Sequence, residues 1–482
     1  MADPKWTRKE FLRLTAAAAL SGVLPARAAA PVSDVVVIGG GLAGLTAARR
    51  LVESGVDDVV LLEARPRVGG RTVNLSIGGG HVVEGGGEWI GPGQDRIAAL
   101  AEELGVPTFS AFYEGKTTYD IQGVVSQGLL PDFSPRQGYD FFRAAYKLDR
   151  LSKQLPHGTP WLAGNAADLD NKTLGAWLAE NTSTVWSREV FRLITRALMA
   201  GYPERISLLW FLAYLRSAGG LLPLCLNDGG AQDLRFEGGS QLVSIRMAEA
   251  LGGRVRLEHP VHQVVDAPGG PVEVHTPHGV LLAQRLIVAM MPADTLRIDF
   301  SPALPPARQA LSAGWARLTR LPIVKLSVIY DTPFWRAQGL NGSMQSDRSP
   351  IQLVFDNSPD DGSIGVLSCF LSVAEVPAAA HRRDRERLVL DELARYFGDR
   401  ARATVGYVEK DWATDPWSTG CITPLGPGLL SQFGPALRAP VGRIHWAGTE
   451  TADRWWGFMD GAVRSGERVA AEVMAASRAG PQ

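Results

Sequence analysis

The residues with the clearest chemical signature are Gly39, Gly41 and Gly44, in the spacing G-x-G-x-x-G, and Glu63, about two dozen residues further on. Each glycine has a task at a dinucleotide. Gly39 allows a tight turn, Gly41 lets the backbone approach a pyrophosphate, and Gly44 lets a helix pack closely on a strand. Glu63 can accept hydrogen bonds from ribose hydroxyls, and a carboxylate there disfavours a 2′-phosphate. The pattern predicts a site for a dinucleotide that lacks this phosphate.

A second Gly-rich surface follows the first. It begins with Ala64-Arg65, continues through Gly69-Gly70-Arg71, and returns at Glu84 to Pro92, which reads EGGGEWIGP. A nicotinamide cofactor does not need this additional surface, whereas a flavin needs close backbone approach along its ribityl chain and ring. The sequence therefore predicts FAD as the cofactor.

Lys325 is the third chemically distinctive residue, because it interrupts the apolar run PIVKLSVIY. A buried lysine is costly unless it is paired or deprotonated. Alternation along a strand would equally allow this side chain to face solvent. The residues alone leave both interpretations open.

The elements that must position these residues follow from periodicity. The apolar run Val35–Ile38, the helical pattern with Leu45, Ala48 and Leu51 on one face, and the run Val59–Leu62 predict strand, helix and strand. Further on, residues 141–220 have helical spacing and bulky side chains, which predicts a helical cap. The other predicted elements are a helix over 97–104, a helix over 240–251, short strands over 255–257 and 261–265 that pair with each other, strands over 285–289, 323–330, 351–355 and 365–373, and a helix over 382–397.

Composition limits the class of protein. The chain has 482 residues, of which 45% are apolar and 21% charged, and a net charge of −1, so we expect two full domains and no nucleic-acid partner. Three cysteines do not form a disulfide framework, and no spacing of cysteine or histidine indicates a metal site. His275 and His278 flank a predicted hairpin turn, where we expect hydrogen-bonded rather than metal-binding side chains.

The first thirty residues have the pattern of an export signal. Four basic residues, Lys5, Arg8, Lys9 and Arg13, precede a weakly apolar stretch and then Ala26-x-Ala28. The run TRKEFLR resembles a twin-arginine signal with lysine in place of the second arginine. We expect a periplasmic or secreted protein; the alternative is an uncleaved amphipathic helix on a cytoplasmic protein. No apolar run reaches the roughly 18–20 residues that span a membrane, so no membrane anchor is expected.

Several motifs together resemble the flavin-containing amine oxidase family, and within it the monoamine oxidases of bacteria. They cover residues 32–473 and are GGRT at 69–72, GPGQDRI at 91–97, LWFLAYLRSAGG at 209–220, FEGGSQ at 236–241, WSTGC at 417–421, and AGTETA followed by GFMDGAVRSGER at 447–468. The resemblance implies an α/β fold. A Rossmann-like, GR2-type FAD-binding domain (31–105, 237–300 and 405–476) would be interleaved with an α+β substrate domain (106–236 and 301–404).

The resemblance also implies which residues contact FAD. In this sequence they are Gly39, Gly41, Leu42, Ala43, Gly44, Glu63, Ala64, Arg65, Gly70, Arg71, Thr72, Gly87, Glu88, Trp89, Ile90, Val261, Trp412, Trp417, Cys421, Gly448, Thr449, Glu450, Phe458 and Met459. In monoamine oxidases the cysteine matching Cys421 forms a thioether to the flavin 8α carbon, while relatives without it bind FAD non-covalently. Covalent and non-covalent FAD both remain open.

Two catalytic residues, Lys325 and Phe458, are implied by the same resemblance. Family members have a lysine in a similar strand that holds a water near flavin N5, and an aromatic ring at the position of Phe458 that orients the amine. A second ring usually completes an aromatic cage, but Ile422 occupies its place here, and Trp456 replaces a small residue. The remaining substrate contacts implied are Gln232, Cys225, Leu353 and Phe370.

The implied reaction is oxidative deamination of an amine, most simply a primary one. Hydride transfer to flavin N5 and oxygen reduction would give an aldehyde or ketone, ammonia and hydrogen peroxide. Three alternatives remain: an amine dehydrogenase with a protein electron acceptor, an L-amino-acid oxidase with Arg96 as the carboxylate anchor, and a non-catalytic FAD-binding protein. The sequence is compatible with a homodimer.

Overall fold

The computed structural model describes residues 31–318, 323–372, 381–418, 420 and 424–478. The proposed export signal lies outside these residues, as do Cys421 and Ile422. The strands are, in chain order, β1 (Val32–Ile38), β2 (Val59–Leu62), β3 (Asn74–Gly78), β4 (His81–Glu84), β5 (Thr108–Ser110), β6 (Lys116–Ile121), β7 (Val124–Gly128), β8 (Leu234–Phe236), β9 (Val255–Arg256), β10 (Gln263–Val265), β11 (Val272–Thr276), β12 (Gly279–Ala289), β13 (Asp299–Ser301), β14 (Ile323–Tyr330), β15 (Leu340–Ser346), β16 (Ile351–Asp356), β17 (Gly365–Ser372), β18 (Gly406–Asp411) and β19 (Ile444–Ala447).

The helices alternate with these strands and predominate between β7 and β8. They are α1 (Leu42–Glu53), α2 (Asp95–Glu103), α3 (Pro135–Lys153), α4 (Ala166–Asp170), α5 (Leu174–Asn181), α6 (Val185–Met199), α7 (Leu208–Ser217), α8 (Leu221–Cys225), α9 (Gln241–Leu251), α10 (Pro306–Ala316), α11 (Arg382–Phe397), α12 (Leu430–Phe433) and α13 (Met459–Arg478). Within the described residues, no helix is long and apolar enough to cross a membrane.

The first sheet carries the glycine motif. Its strand order is β13-β10-β11-β12-β1-β2-β9, and β19 pairs with the end of β12. β1 lies between two parallel neighbours, with Val36 opposite Leu286 on one side and Val60 on the other. Its last four residues are buried, as expected for a parallel strand covered on both faces. The predicted α/β class is confirmed.

Two predicted strand segments of this sheet have other partners than expected. The segments over 255–257 and 261–265 were predicted to pair with each other. Instead, β9 pairs with β2, and β10 pairs with β11 and β13. Short strands take their partners from the whole fold, and neighbours in sequence need not be neighbours in the sheet.

One face of this sheet is covered by α1 and the C-terminal helix α13. Leu45, Ala48 and Leu51 of α1 are buried, as their spacing predicts. Gly466 of α13 allows the two helices to approach closely, since a Cβ at this position would lie 2.5 Å from the Ala43 carbonyl oxygen of α1. The nucleotide-binding layer is therefore built from both ends of the chain.

The second sheet has the order β18-β14-β17-β16-β15-β6-β7. β14, which carries Lys325, lies inside this sheet between β17 and β18. β18 was expected in the FAD-binding domain because the boundary was set at 405. Its pairing with β14 places residues 406–411 in the substrate-domain sheet, so that boundary falls too early.

The helical cap predicted over 141–220 consists of α3 to α8. Hydroxyl groups start four of its helices, since the side chains of Ser134, Thr173, Thr184 and Ser207 each accept a hydrogen bond from a backbone N–H of the first turn. The cap has its own core, in which Trp210 stacks on Trp456 with ring centroids 4.8 Å apart.

Candidate active site

The turn between β1 and α1 has the geometry of a phosphate site. Gly39 has a φ of 107°, and a Cβ at Gly44 would lie 2.0 Å from the Gly39 carbonyl oxygen, so both positions require glycine. Gly41 caps α1 without a side-chain hydrogen bond, and the first turn contains no acid. Its N–H groups are therefore left to bind an anion.

The second glycine segment lies directly against this turn. Gly69 donates a backbone hydrogen bond to the Gly40 carbonyl oxygen (2.8 Å). A Cβ at Gly70 would be 3.3 Å from the Gly41 Cα. Side chains at these positions would fill the space between the two segments, so the glycines keep a cradle open beside the phosphate site. This geometry fits a flavin dinucleotide.

Glu63 ends β2 beside the cradle and is 3% exposed. Its carboxylate accepts hydrogen bonds from the backbone N–H groups of Gly40 (2.7 Å) and Arg65 (2.9 Å). These bonds fix the carboxylate at the cavity wall, where it can accept from ribose hydroxyls.

Arg65 connects this wall to the segment after β18. Its guanidinium donates to Asp415 Oδ1 (2.7 Å) and to the Ser418 hydroxyl (2.8 Å), and Lys410 donates to the other oxygen of Asp415 (2.8 Å). Although burial opposes ionisation, Lys410 and Arg65 hold the pKa of Asp415 at about 2. The carboxylate is therefore charged at neutral pH and fixes Arg65 against the cavity.

Lys325 is 2% exposed, so the alternative of a solvent-facing lysine is wrong. Its Nζ donates to Glu88 Oε2 (2.5 Å) and to the Gly86 carbonyl oxygen (2.9 Å). It also lies 5.2 Å from the ring centroid of Trp89 and 5.4 Å from that of Phe370. The ammonium group is thus held against the Gly-rich segment and lines the cavity.

Glu88 belongs to a buried network of four charges. Its Oε1 lies 3.3 Å from Arg235 Nε, and Arg235 Nη2 lies 3.1 Å from Glu84 Oε2. Burial raises the pKa of the Glu88 carboxyl, while the cations of Lys325 and Arg235 oppose the rise. Two carboxylates and two cations balance, which is how this much charge is accommodated in the interior.

A single cavity joins these parts. It runs from the glycine turn past Lys325 to an apolar and aromatic end. The expected site residues that line it are Gly39, Gly41, Leu42, Ala43, Glu63, Ala64, Arg65, Gly70, Arg71, Thr72, Gly87, Glu88, Trp89, Gln232, Val261, Lys325, Leu353, Phe370, Trp412, Trp417, Gly448, Thr449, Phe458 and Met459.

Five expected site residues lie elsewhere. Gly44 packs under the turn, and Ile90 is buried in the core beside α1. Glu450 is buried in an ion pair with Arg71 (2.7 Å). Cys225 is exposed at the end of α8 and does not line the cavity. Trp456 is buried against Trp210 in the cap core and does not line the cavity.

The structure adds a residue that the sequence did not single out. Tyr214 of α7 lines the cavity, and its ring lies 5.9 Å from that of Phe458 at an interplanar angle of 32°. Trp455 contacts the ring of Phe458 edge-on at 5.1 Å. Tyr214 lies within the motif LWFLAYLRSAGG, where helical spacing marks it only as a buried side chain. Gln352, Met290, Met291, Arg196 and Tyr202 also line the cavity without having been predicted.

Comparison with known proteins agrees with this geometry. A family model described as flavin containing amine oxidoreductase matches residues 42–474. A Mycobacterium tuberculosis protein, provisionally named a flavin-containing monoamine oxidase, is 39% identical over 92% of this chain and 96% of its own length. A flavin-containing amine oxidase of Danio rerio is 37% identical over 92% of this chain and 86% of its own.

Solved structures of two amine oxidases share the fold. Cyclohexylamine oxidase from Brevibacterium oxydans superposes with a TM-score of 0.87 at 32% identity, covering 93% of this chain and 100% of its own. Putrescine oxidase bound to putrescine gives 0.85 at 33% identity, covering 92% and 99%. The chain therefore belongs to the flavin-containing amine oxidoreductase family and is an oxidoreductase with FAD as its cofactor.

Proposed function

We propose that this enzyme oxidises a primary monoamine with dioxygen and water to an aldehyde or ketone, ammonia and hydrogen peroxide. The observation that carries the proposal is the continuity of the cavity from the glycine turn, past Lys325, to Leu353, Phe370 and Phe458. FAD, when bound, supplies the hydride acceptor. The protein supplies binding, orientation and exclusion of water.

The apolar end of the cavity selects the reactive form of the substrate. Its lining by Leu353, Phe370, Tyr214 and Phe458 disfavours an ammonium ion, so the amine binds there in its neutral form. The rings of Phe458 and Tyr214 limit the orientation of the amine. We assign these two rings to substrate positioning. Tyr214 would then serve as the second ring, since the usual position of that ring holds Ile422 in this sequence.

Lys325 is assigned to the polar side of the same site. Two of its N–H groups are used by Glu88 and Gly86, and Nζ makes no third hydrogen bond among the described residues. The remaining N–H can hold a water molecule in the cavity. Lys325→Met should lower the rate of flavin reduction while leaving flavin bound.

The test is anaerobic mixing of the yellow protein with primary, secondary and aromatic amines and with amino acids, followed by flavin absorbance. Rapid bleaching by primary amines, and recovery of colour in air with peroxide release, is the expected result. Recovery only with a cytochrome would establish a dehydrogenase. If no amine bleaches the flavin while dithionite does, the proposal is refuted.

Arg96 does not support amino-acid oxidation. It is on the surface, where its Nε lies 2.7 Å from Glu467 Oε2, and it does not line the cavity. Preferential bleaching by amino acids would nevertheless show that another group binds the carboxylate.

Two further proposals rest on residues outside the described part of the chain. We propose export through the signal over residues 1–30; fractionation of cells expressing the unchanged chain and an Arg8→Gln variant tests it. We also propose a covalent link between Cys421 and FAD. Flavin fluorescence should then persist on a denaturing gel and disappear in Cys421→Ala.

A further inference from the structure

A group of exposed apolar side chains, separate from the cavity, lies on α3 and the chain just before it. We name Leu129, Leu130, Tyr139, Phe142 and Tyr146 the apolar patch. Leu129 is 86% exposed, Tyr139 73% and Tyr146 64%. The three aromatic residues are spaced i, i+3 and i+7 and so share one face of α3. Exposed apolar side chains grouped on one face of a helix mark an interaction surface.

The chain before α3 is held on the helix through Phe133 and on β6 through Leu129. The Phe133 ring packs on α3, since a Cβ at Gly138 would lie 2.7 Å from it, and it contacts Phe142 at 6.1 Å. The Tyr119 hydroxyl donates to the Leu129 carbonyl oxygen (3.0 Å). The loop that carries Leu129 and Leu130 is therefore fixed at both of these points.

The charges on this face have one predominant sign. Arg136, Arg150 and Lys153 are exposed on α3. The two acids of the helix are bound by backbone N–H groups of the cap: Asp140 accepts from 183 and 184, and Asp149 accepts from 221. Asp132, in the preceding loop, is the exposed acid of the stretch 129–153.

We propose that the apolar patch docks on an anionic phospholipid surface. A helix with aromatic side chains and cations on its exposed face is the usual form of an interfacial membrane contact. Leu129, at 86% exposure, offers an apolar side chain to the acyl boundary, and the three cations match the negative lipid headgroups. The contact is peripheral and does not depend on the amine chemistry.

The test is co-sedimentation of the full-length, FAD-loaded protein with phosphatidylcholine vesicles, with and without phosphatidylglycerol. Binding is expected with phosphatidylglycerol and should weaken as salt increases. The double substitution Leu129→Ser/Leu130→Ser should lower the partition coefficient at least ~tenfold, and so should Arg136→Gln/Arg150→Gln/Lys153→Gln. Val405→Ser changes a residue that is 67% exposed outside the patch, and it should bind like the unchanged chain.

Three outcomes would overturn the proposal. The first is no sedimentation with phosphatidylglycerol. The second is equal binding by all variants, which would assign the contact to a segment they share, such as residues 1–30. The third is a fall in oligomer mass on gel filtration for Leu129→Ser/Leu130→Ser, which would make a second copy of the chain the occupant.

Discussion

The buried charge network around Lys325 makes a prediction about stability that can be worked out in advance. The side chains of Lys325, Glu88, Arg235 and Glu84 are 3%, 0%, 4% and 1% exposed and carry two charges of each sign. Glu88→Gln keeps the shape but leaves both cations facing one carboxylate. Lys325→Met leaves two carboxylates facing one cation.

Removing one partner of a buried ion pair costs about 3–5 kcal/mol, and each single variant should lose about 3 kcal/mol of unfolding free energy. The double variant removes one charge of each sign and leaves Arg235 paired with Glu84. It should also lose only about 3 kcal/mol, which corresponds to a coupling energy of about 3 kcal/mol between the two sites.

The measurement is urea unfolding of the flavin-loaded protein for all four members of the cycle. The free FAD concentration must be the same throughout, because bound cofactor stabilises the native state. Lys172 and Glu180 provide a matched control, since they form a 2.7 Å pair whose side chains are 37% and 57% exposed. The same substitutions there should show a coupling below about 1 kcal/mol.

The reasoning is refuted if the two substitutions in the buried pair are additive within about 0.5 kcal/mol, since that would mean that the charges are compensated independently. A coupling no larger than that of the Lys172–Glu180 control would lead to the same conclusion. Burial of Lys325 and Glu88 would then not be the reason why removing one charge without the other is costly.

Three other predictions concern residues that do not themselves line the cavity. Gly44→Ala places a Cβ 2.0 Å from the Gly39 carbonyl oxygen, so the purified protein should lack flavin absorbance. The lowered pKa of Asp415 means that its carboxylate stabilises the native state above pH 3.8 and loses this effect as pH falls toward 2. Asp415→Asn should thus cost roughly 1–2 kcal/mol at pH 7, allowing for screening, and nothing near pH 2 in denaturant titrations. Trp456→Phe should lower the unfolding free energy by about 1–3 kcal/mol, because it weakens the stacking on Trp210 and removes the hydrogen bond that the indole N–H donates to the Ala452 carbonyl oxygen. It should leave KM for the amine unchanged.

Local patterns predicted the elements that are regular and strongly apolar. The turn from Gly39 to Glu63 was predicted because glycine positions and strand burial are local consequences of sequence. β15 was missed, because five of the seven residues in LNGSMQS are polar or small although most are buried in the sheet. Its hydrogen-bonding groups are satisfied by β6 and β16, which lie far from one another in the chain.

The parts of the site that are formed by backbone turns could be predicted from the sequence. The parts that are formed by side chains from distant segments could be predicted less well. Tyr214 and Trp456 are both buried aromatics of similar hydropathy, yet one lines the cavity and the other fills the cap core. Which side a buried ring faces depends on the packing of helices that are remote in sequence. The partner of Lys325 was unpredictable for the same reason, since Glu88 is 237 residues away.

The joining of both chain ends in the nucleotide-binding layer sets an order of events during synthesis. The apolar face of α1 is covered by α13, and β19 completes the sheet beside β12. Until residues 459–478 have been synthesised, that face lacks the cover that α13 gives it. The nucleotide-binding layer is thus complete only when α13 is in place on α1.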